Sequence, residues 1–425
     1  MIGLDLSTLK RPRESRSFSC AWYIIIEMAK RIRIKIIPLI ILFVAVAYAV
    51  VTGIRMATLD TTVSSITTYQ IPSFPALVDL PVSTYGQQAV AIDGSLLYEK
   101  NNLSEKTQPI ASTVKMVLGL AVMEKKPFDL STKGGTITIS AEDYNDYSWY
   151  NTNNGSTTPV VIGENYSEYD ALSLVFLASS NNMADTLARW AFGSQSEYQT
   201  YATEMLKKIG IEDIVIGADA SGYNTSTVGS ANSLALLSQK VMEQPVLAEI
   251  VGTKDYNAEN VGVVSNTNKL LGIDGINGVK TGYNGAYSGY CLVTSFPVED
   301  TAKHNVTVAL LGAPSREESF ADSQSIIEKT QSILTPSRVI KEGDVVGYYD
   351  SWWDEKTTIV AQEDMDLLGW DGVETNVTLV MNGDNGELRL TAGEESKTIR
   401  VKTSTPLKTS PNMWERFIRT WGWEK

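Results

Sequence analysis

The sequence predicts a mixed α/β body, an antiparallel sheet flanked by helices, with a small C-terminal all-β domain behind it and a single N-terminal transmembrane helix before it. Three observations predict this. Residues 36–54 contain no charged side chain. The pattern then switches between apolar positions at helical spacing, as in Met116, Leu120 and Met123, and short strand-like runs at 278–283, 290–296 and 306–311 separated by Gly/Asn and Asp/Lys/His turns. Past Pro336 only short strand-like pieces remain, broken by Gly, Asp and Asn turns, to about Pro406.

The uncharged run 36–54 spans about 28 Å as a helix, close to the hydrocarbon core of a bilayer. Lys30, Arg31, Arg33 and Lys35 flank it on one side and Arg55 alone on the other, which keeps the N-terminus in the cytoplasm and everything after Arg55 outside. Ala47-Tyr48-Ala49 is also a small-residue cleavage pattern, so a secreted form cut near Ala49 stays open beside the anchor.

Charge is uneven. Up to Arg55 nine basic residues face Asp5, Glu14 and Glu27, a net of +6, which leaves −19 on the remainder of a chain whose total is −13. So acidic a body repels phosphate backbones, and nucleic acid is not expected as a partner. Hydrophobic residues at 43% and charged ones at 20% are ordinary globular usage, and 425 residues exceed one compact core, so two domains are expected. Cys20 and Cys291 fall on opposite sides of the membrane and form no disulfide within the chain; Cys291, in an apolar run, reads as a small core residue.

From Met56 to about Val82 a Thr, Ser and Pro-rich stretch reads as a tether. A hairpin follows, with Val90, Ile92 and 96–98 flanking the turn pair Asp93-Gly94. A helix is expected from Ala111 through Met123, just after Pro109. Residues 131–166 read as short polar strands and a Gly-Asn-Ser loop, in which Trp149 and Tyr150 are candidates for a pocket wall. Helices resume at Glu168, with Leu172, Val175 and Phe176 on one face. They break at the polar corner Ser179-Ser180-Asn181-Asn182 and continue through Met183, Leu187 and Trp190. A helix at 317–333 closes the domain. Met413, Trp414, Phe417, Ile418 and Trp421 share one helical face, suited to a membrane interface or to packing on the β domain. Trp352-Trp353 is either core or contact surface.

His304 is the only histidine, in the polar stretch 299–305 that reads as a solvated turn, so a Ser-His-Asp or Cys-His hydrolase is disfavoured and a zinc peptidase nearly excluded. No metal or cofactor is called for. A hydrolase of this composition needs lysine or carboxylate as its base. Ser112-Thr113-Val114-Lys115 supplies a hydroxyl and an amine three residues apart, on one helix face. Ser179-Ser180-Asn181 occupies the corner, and Lys280-Thr281-Gly282 lies on a strand, where Gly282 admits a close approach of substrate. Chance supplies roughly two S-x-x-K and two S-x-N matches in such a chain but only about a tenth of a K-T-G. Ser7-Thr8-Leu9-Lys10 and Ser230-Ala231-Asn232 are such decoys; order and context distinguish the other three.

From about Tyr85 to the final β domain the chain resembles the low-molecular-mass penicillin-binding proteins, serine-type D-Ala-D-Ala carboxypeptidases. Besides the three motifs, the resemblance rests on Tyr98-Glu99-Lys100, Pro109-Ile110-Ala111-Ser112, and the approach from Asn266 to Leu271 before Gly278 to Tyr283. It implies the penicillin-binding/β-lactamase-like transpeptidase fold, and with the charge and hydropathy pattern the chain divides into a cytoplasmic basic tail (1–35), a transmembrane signal anchor (36–54), an extracytoplasmic linker (55–82), a serine DD-peptidase domain (83–335), a small β domain (336–408) and an amphipathic aromatic segment (409–425).

The resemblance also implies roles. Ser112 attacks the carbonyl between two terminal D-alanines of a peptidoglycan pentapeptide stem, and water hydrolyses the acyl-enzyme. Lys115 is the base, for which its pKa must fall by about three from roughly 10.4, supplied by burial and by Lys280. Ser179 relays a proton and Asn181 orients substrate. Lys280 and Thr281 hold the terminal carboxylate, Gly282 and Tyr283 complete the substrate-binding strand, and the backbone N–H groups of Ser112 and Tyr283 form the oxyanion hole. β-Lactam antibiotics are implied ligands and the cytoplasmic membrane an implied partner. A class A β-lactamase would need an E-x-x-L-N loop downstream of Asn181, which is missing. A catalytically silent cell-wall-binding relative would lack a Ser, Lys or Asn of the motifs, and none is lacking. Endopeptidase action on cross-links uses the same residues and stays open.

Overall fold

The computed structural model describes residues 16–77, 79–81, 83–298, 304–353, 356–393 and 395–422. The chain forms two compact units, one of 1–66, 347–359 and 403–425, the other of 67–346 and 360–402. The decoy Ser7-Thr8-Leu9-Lys10 lies outside the described residues, and of Cys20 only the backbone is described.

In the first unit helix α1, Arg16–Ala57, begins twenty residues before the uncharged run and passes through Pro38 without ending. Among the described residues it is the one helix long and apolar enough to cross a membrane. The C-terminal aromatic segment packs beside its end: Trp421 stacks on Tyr48 at 4.9 Å between ring centres, and the Arg55 guanidinium lies 5.5 Å from the Trp421 ring. Trp353 is buried and donates from Nε1 to the Lys408 carbonyl at 3.1 Å, so it is core. Trp352 donates to the Asp60 carbonyl at 2.6 Å, with Arg419 stacked 5.6 Å from its ring centre.

The second unit is organised by an antiparallel sheet. Its strands are β1 Gln87–Ile92, β2 Ser95–Asn101, β3 Gly278–Tyr283, β4 Tyr290–Pro297 and β5 Asn305–Ala313, in the order β3-β4-β5-β1-β2. Asp93 and Gly94 both adopt positive φ, 46° and 75°, the turn that matches the twist of the β1–β2 hairpin. Side chains alternate between two cores. Ala89, Ala91, Val293, Ala309 and Leu311 face one, Val90, Ile92, Leu292, Val308 and Leu310 the other. Burial on both faces is why these strands read as unbroken apolar runs. A helix at Ala231–Glu243 covers the first face with Leu234, Ala235 and Leu237, and one at Arg316–Ile333 covers the second with Ile326 and Ile327.

Leu77 and Leu80, in the stretch read as a tether, are buried in the second core, since an apolar side chain there gains about 1.5–3 kcal/mol by leaving water. The expected helix at Ala111 opens instead as a 3₁₀ turn, Ala111–Val114, and becomes α-helical (α2, Lys115–Lys125) only at Lys115. Residues 131–166 hold a helix that the polar sequence concealed, α3, Ala141–Thr152. Its sequence signal was the capping box Ser140–Asp143, in which each side chain binds the other's backbone N–H. Then come α4, Glu168–Phe176, and α5, Asn181–Phe192, joined at a corner where Ser179 has φ +57°. The reading of His304 as a solvated residue is corrected. Its ring is buried, its Nδ1 pairs with the Asp93 carboxylate, and Trp370 packs edge-on at 5.8 Å. The polar neighbours that suggested exposure, 299–303, lie outside the described residues. Past Leu334 the described regular elements as far as Thr403 are strands, among them the antiparallel meander Thr375–Asn382, Asn385–Ala392 and Glu395–Thr403.

Gly119 on α2 faces the Phe176 ring, and a Cβ there would sit 2.6 Å from Phe176 Cζ. Gly119→Ala is therefore expected to destabilise by about 1–3 kcal/mol, against the ~1 kcal/mol gain usual for that change in a helix. A denaturation midpoint equal to or above that of the parent would contradict this packing.

Candidate active site

The three motifs come from four elements, and the fold brings them to one cavity of about 290 Å³. The 3₁₀ turn carries Ser112, the first turn of α2 Lys115, the α4–α5 corner Ser179 and Asn181, and the edge strand β3 Lys280 to Tyr283. Ser112, Ser179, Asn181, Thr281, Gly282 and Tyr283 line the cavity. Lys115 and Lys280 lie behind the hydroxyls, fully buried. Thr267, from the approach segment, also lines it and shares a 2.7 Å hydrogen bond with Thr281 Oγ1.

Eclipsing of residues three apart in a 3₁₀ turn brings Lys115 Nζ to 2.7 Å from Ser112 Oγ. The same nitrogen lies 2.8 Å from Asn181 Oδ1 and 2.9 Å from the Ser221 carbonyl. Lys280 Nζ donates to Ser179 Oγ at 3.0 Å and to the Thr281 carbonyl at 2.9 Å. Gly282 is needed for space. A Cβ there would lie 3.2 Å from Ser112 N, Ile110 O and Ala111 Cβ, which shows how closely β3 approaches the turn that carries Ser112. Ala111 itself holds φ +49°, a left-handed conformation at the residue before Ser112.

Burial lowers the Lys115 amine to about 7, while the carboxylates of Asp219 and Asp185 pull it back up. The sequence reading assigned part of that lowering to Lys280; burial is its cause, and the repulsion between the amines tells on Lys280, held well below its ordinary value by burial first and then by Lys115. A lysine that is half neutral near pH 7 can take the proton of a serine hydroxyl in contact with it. The rate at which Ser112 is acylated is therefore expected to rise with pH through about 7. A rate flat between about pH 5 and 9 would contradict Lys115 as the group that titrates.

Several lining residues carried no sequence signal. Asn153 to Ser156 follow α3 and form a wall, with the Ser156 carbonyl accepting from Asn181 N at 2.7 Å. Tyr223 forms another and donates to the Asn153 carbonyl at 2.8 Å. Tyr290 stacks on Tyr283 at 4.3 Å, with Arg316 5.9 Å from the Tyr290 ring centre. Of the two aromatics named from sequence, Tyr150 is buried and donates to Asp185 Oδ2 at 2.7 Å, and Trp149 stands edge-on to Tyr223 at 5.5 Å, behind the wall. Cys291 is buried, and burial pushes its thiol up to about 12, which fits a core residue.

An antiparallel sheet with helices on both faces and a serine, lysine and asparagine gathered at its edge strand is the architecture of the penicillin-binding DD-peptidases. Solved structures with this fold include the D-alanyl-D-alanine carboxypeptidase DacD of Francisella tularensis, 17% identical, covering 80% of this chain and 96% of that one with a TM-score of 0.54. Penicillin-binding protein 5 of Haemophilus influenzae is 16% identical over 77% of this chain and 99% of its own, with a TM-score of 0.55. The D-alanyl-D-alanine carboxypeptidase DacF of Bacillus subtilis is 26% identical over 209 residues, 48% of this chain and 51% of the relative, so the chain spans about half the length of that curated relative. Residues 81–314, more than half of the chain, match the D-alanyl-D-alanine carboxypeptidase family, and the protein belongs to it.

Proposed function

We propose that the protein is a serine D-Ala-D-Ala carboxypeptidase that removes the terminal D-alanine from peptidoglycan stem peptides through an acyl-enzyme, and that β-lactams acylate the same serine. The observation that carries this is the 2.7 Å contact between Ser112 Oγ and a buried Lys115 Nζ at the floor of an open cavity. Lys115 takes the Ser112 proton as Oγ attacks the carbonyl. The leaving D-alanine amine is protonated from the Lys115–Ser179 side, and water then attacks the ester with Lys115 again as base. The N–H groups of Ser112 and Tyr283 receive the oxyanion, a role favoured by the close approach of β3 to the nucleophile turn. Lys280 lies behind Ser179 and Thr281, where a free C-terminal carboxylate is to be held, and that carboxylate favours the charged form of an amine which burial otherwise holds well below its ordinary value.

Anchoring by α1, with the N-terminus in the cytoplasm, belongs to the same proposal. The stacking of Trp421 on Tyr48 favours a retained anchor over cleavage near Ala49, which would remove Tyr48 from the mature chain. The test is D-alanine release from a pentapeptide ending in D-Ala-D-Ala and from the same peptide amidated at its C-terminus. Release from the free acid with little from the amide supports a carboxypeptidase. Equal rates would contradict the carboxylate clamp, and no release from either would contradict the activity.

A further inference from the structure

A neutral lysine has two N–H bonds and one lone pair. Around Lys115 Nζ stand two acceptors that can give nothing back, Asn181 Oδ1 at 2.8 Å and the Ser221 carbonyl at 2.9 Å, and one hydroxyl, Ser112 Oγ, at 2.7 Å. If the two N–H bonds go to the two acceptors, the lone pair is left facing the Ser112 hydroxyl, as a base must. Asn181 belongs to a recognised motif. Ser221 does not, and it acts through its backbone, so no side-chain pattern marks it.

The turn that carries the Ser221 carbonyl is held by two acidic residues. Asp219 Oδ1 accepts from Ser221 N at 2.9 Å, Ser221 Oγ at 2.7 Å and Tyr223 N at 3.1 Å, and its Oδ2 accepts from Asn224 N at 2.8 Å. Asp185, buried on α5, accepts from Ala220 N at 2.9 Å and from the Tyr150 hydroxyl on α3 at 2.7 Å. Gly222, at φ +72°, presses on the nucleophile turn, since a Cβ there would lie 2.1 Å from Ala111 O. Four backbone N–H groups and two hydroxyls thus converge on two carboxylates, far more than an incidental surface turn receives. We propose that the turn Asp219-Ala220-Ser221-Gly222 is a working part of the catalytic centre, in which Asp219 and Asp185 are positioning residues that hold the Ser221 carbonyl so that it aims the Lys115 lone pair at Ser112.

The inference rests on the reading of Ser112 and Lys115 as nucleophile and base. The charged and titratable groups around Lys115 are Asp219 on the turn, Asp185 on α5, Lys280 on β3, and the phenols Tyr150 on α3 and Tyr198 on the helix Gln195–Lys208. Asp219 favours the ammonium, so removing its charge lowers the pH at which Lys115 becomes a base, whereas burial pushes Asp185 up to about 7, so its charge is lost over the acid part of the same limb.

The test uses the full chain in detergent and follows acylation by a fluorescent penicillin as a function of pH, for wild type, Asp219→Asn and Asp185→Asn, with thermal midpoints in parallel. Asp219→Asn is expected to lower the plateau rate by about 10- to 100-fold, as mis-aimed reacting groups do, and to move the acid limb to lower pH by about one unit. Asp185→Asn, whose amide oxygen can still accept from Ala220 N, is expected to lower the plateau by less and to move the limb little, since burial already holds Asp185 up at about 7. A merely structural role changes the thermal midpoint and the plateau but leaves the limb in place. A folded Asp219→Asn with an unmoved limb overturns the proposal. Should that variant not fold, an unchanged plateau rate in a folded Asp185→Asn overturns it. An unlabelled wild type would instead overturn the reading of Ser112 and Lys115 on which the inference stands.

Discussion

Lys115→Met is expected to lower the rate of acylation by a penicillin by about 10²–10⁴-fold, the range removed with a general base, while leaving the chain folded. The methionine fits the volume and removes a buried amine, so the fold is relieved of a group that burial holds at about 7 instead of its usual 10.5. Against this stands the loss of donors to Asn181 Oδ1 and the Ser221 carbonyl, about 1–3 kcal/mol for each acceptor left unpaired. These terms oppose each other, and rate, not stability, is the readout. Stopped-flow labelling at several pH values checks it. A variant that retains more than about a tenth of the parent rate would mean that another group takes the serine proton.

Lys280→Ala is the second large effect. Lys280 Nζ is the buried amine behind Ser179 and Thr281, and removing one side of the desolvated, hydrogen-bonded pair it is proposed to form with a substrate carboxylate costs about 2–5 kcal/mol. Specificity for a peptide with a free C-terminal carboxylate should fall by roughly 30- to several-thousand-fold. Acylation by an ester or amide lacking that carboxylate should fall much less. Equal losses on both would assign Lys280 to holding Ser179 and not to receiving the carboxylate.

The sequence carried the parts of this site that local rules write. Ser112 and Lys115 are three apart on one turn, Lys280 to Tyr283 sit in one strand, and the corner at Ser179 breaks an apolar helical face; each is visible within a few residues. The hairpin at Asp93-Gly94 and the runs of β3, β4 and β5 were legible for the same reason. What escaped is assembled from distance. Tyr150, Asp185 and Asp219 are common residue types on three elements, and they meet only because α3 and α5 pack together beneath the 219–223 turn. Helix α3 was hidden because its exposed faces are polar and its apolar contribution is small; Ser140 and Asp143 were the available signal. His304 was misread because its polar neighbours outvoted its place at the head of a strand buried on both faces.

The most direct measurement of the central claim is mass analysis of the full chain after incubation with a penicillin, beside Ser112→Ala. The account predicts one added penicilloyl group on the parent, located on Ser112, and none on the variant. A folded parent that takes up no label, or a Ser112→Ala variant that takes up as much, would contradict it.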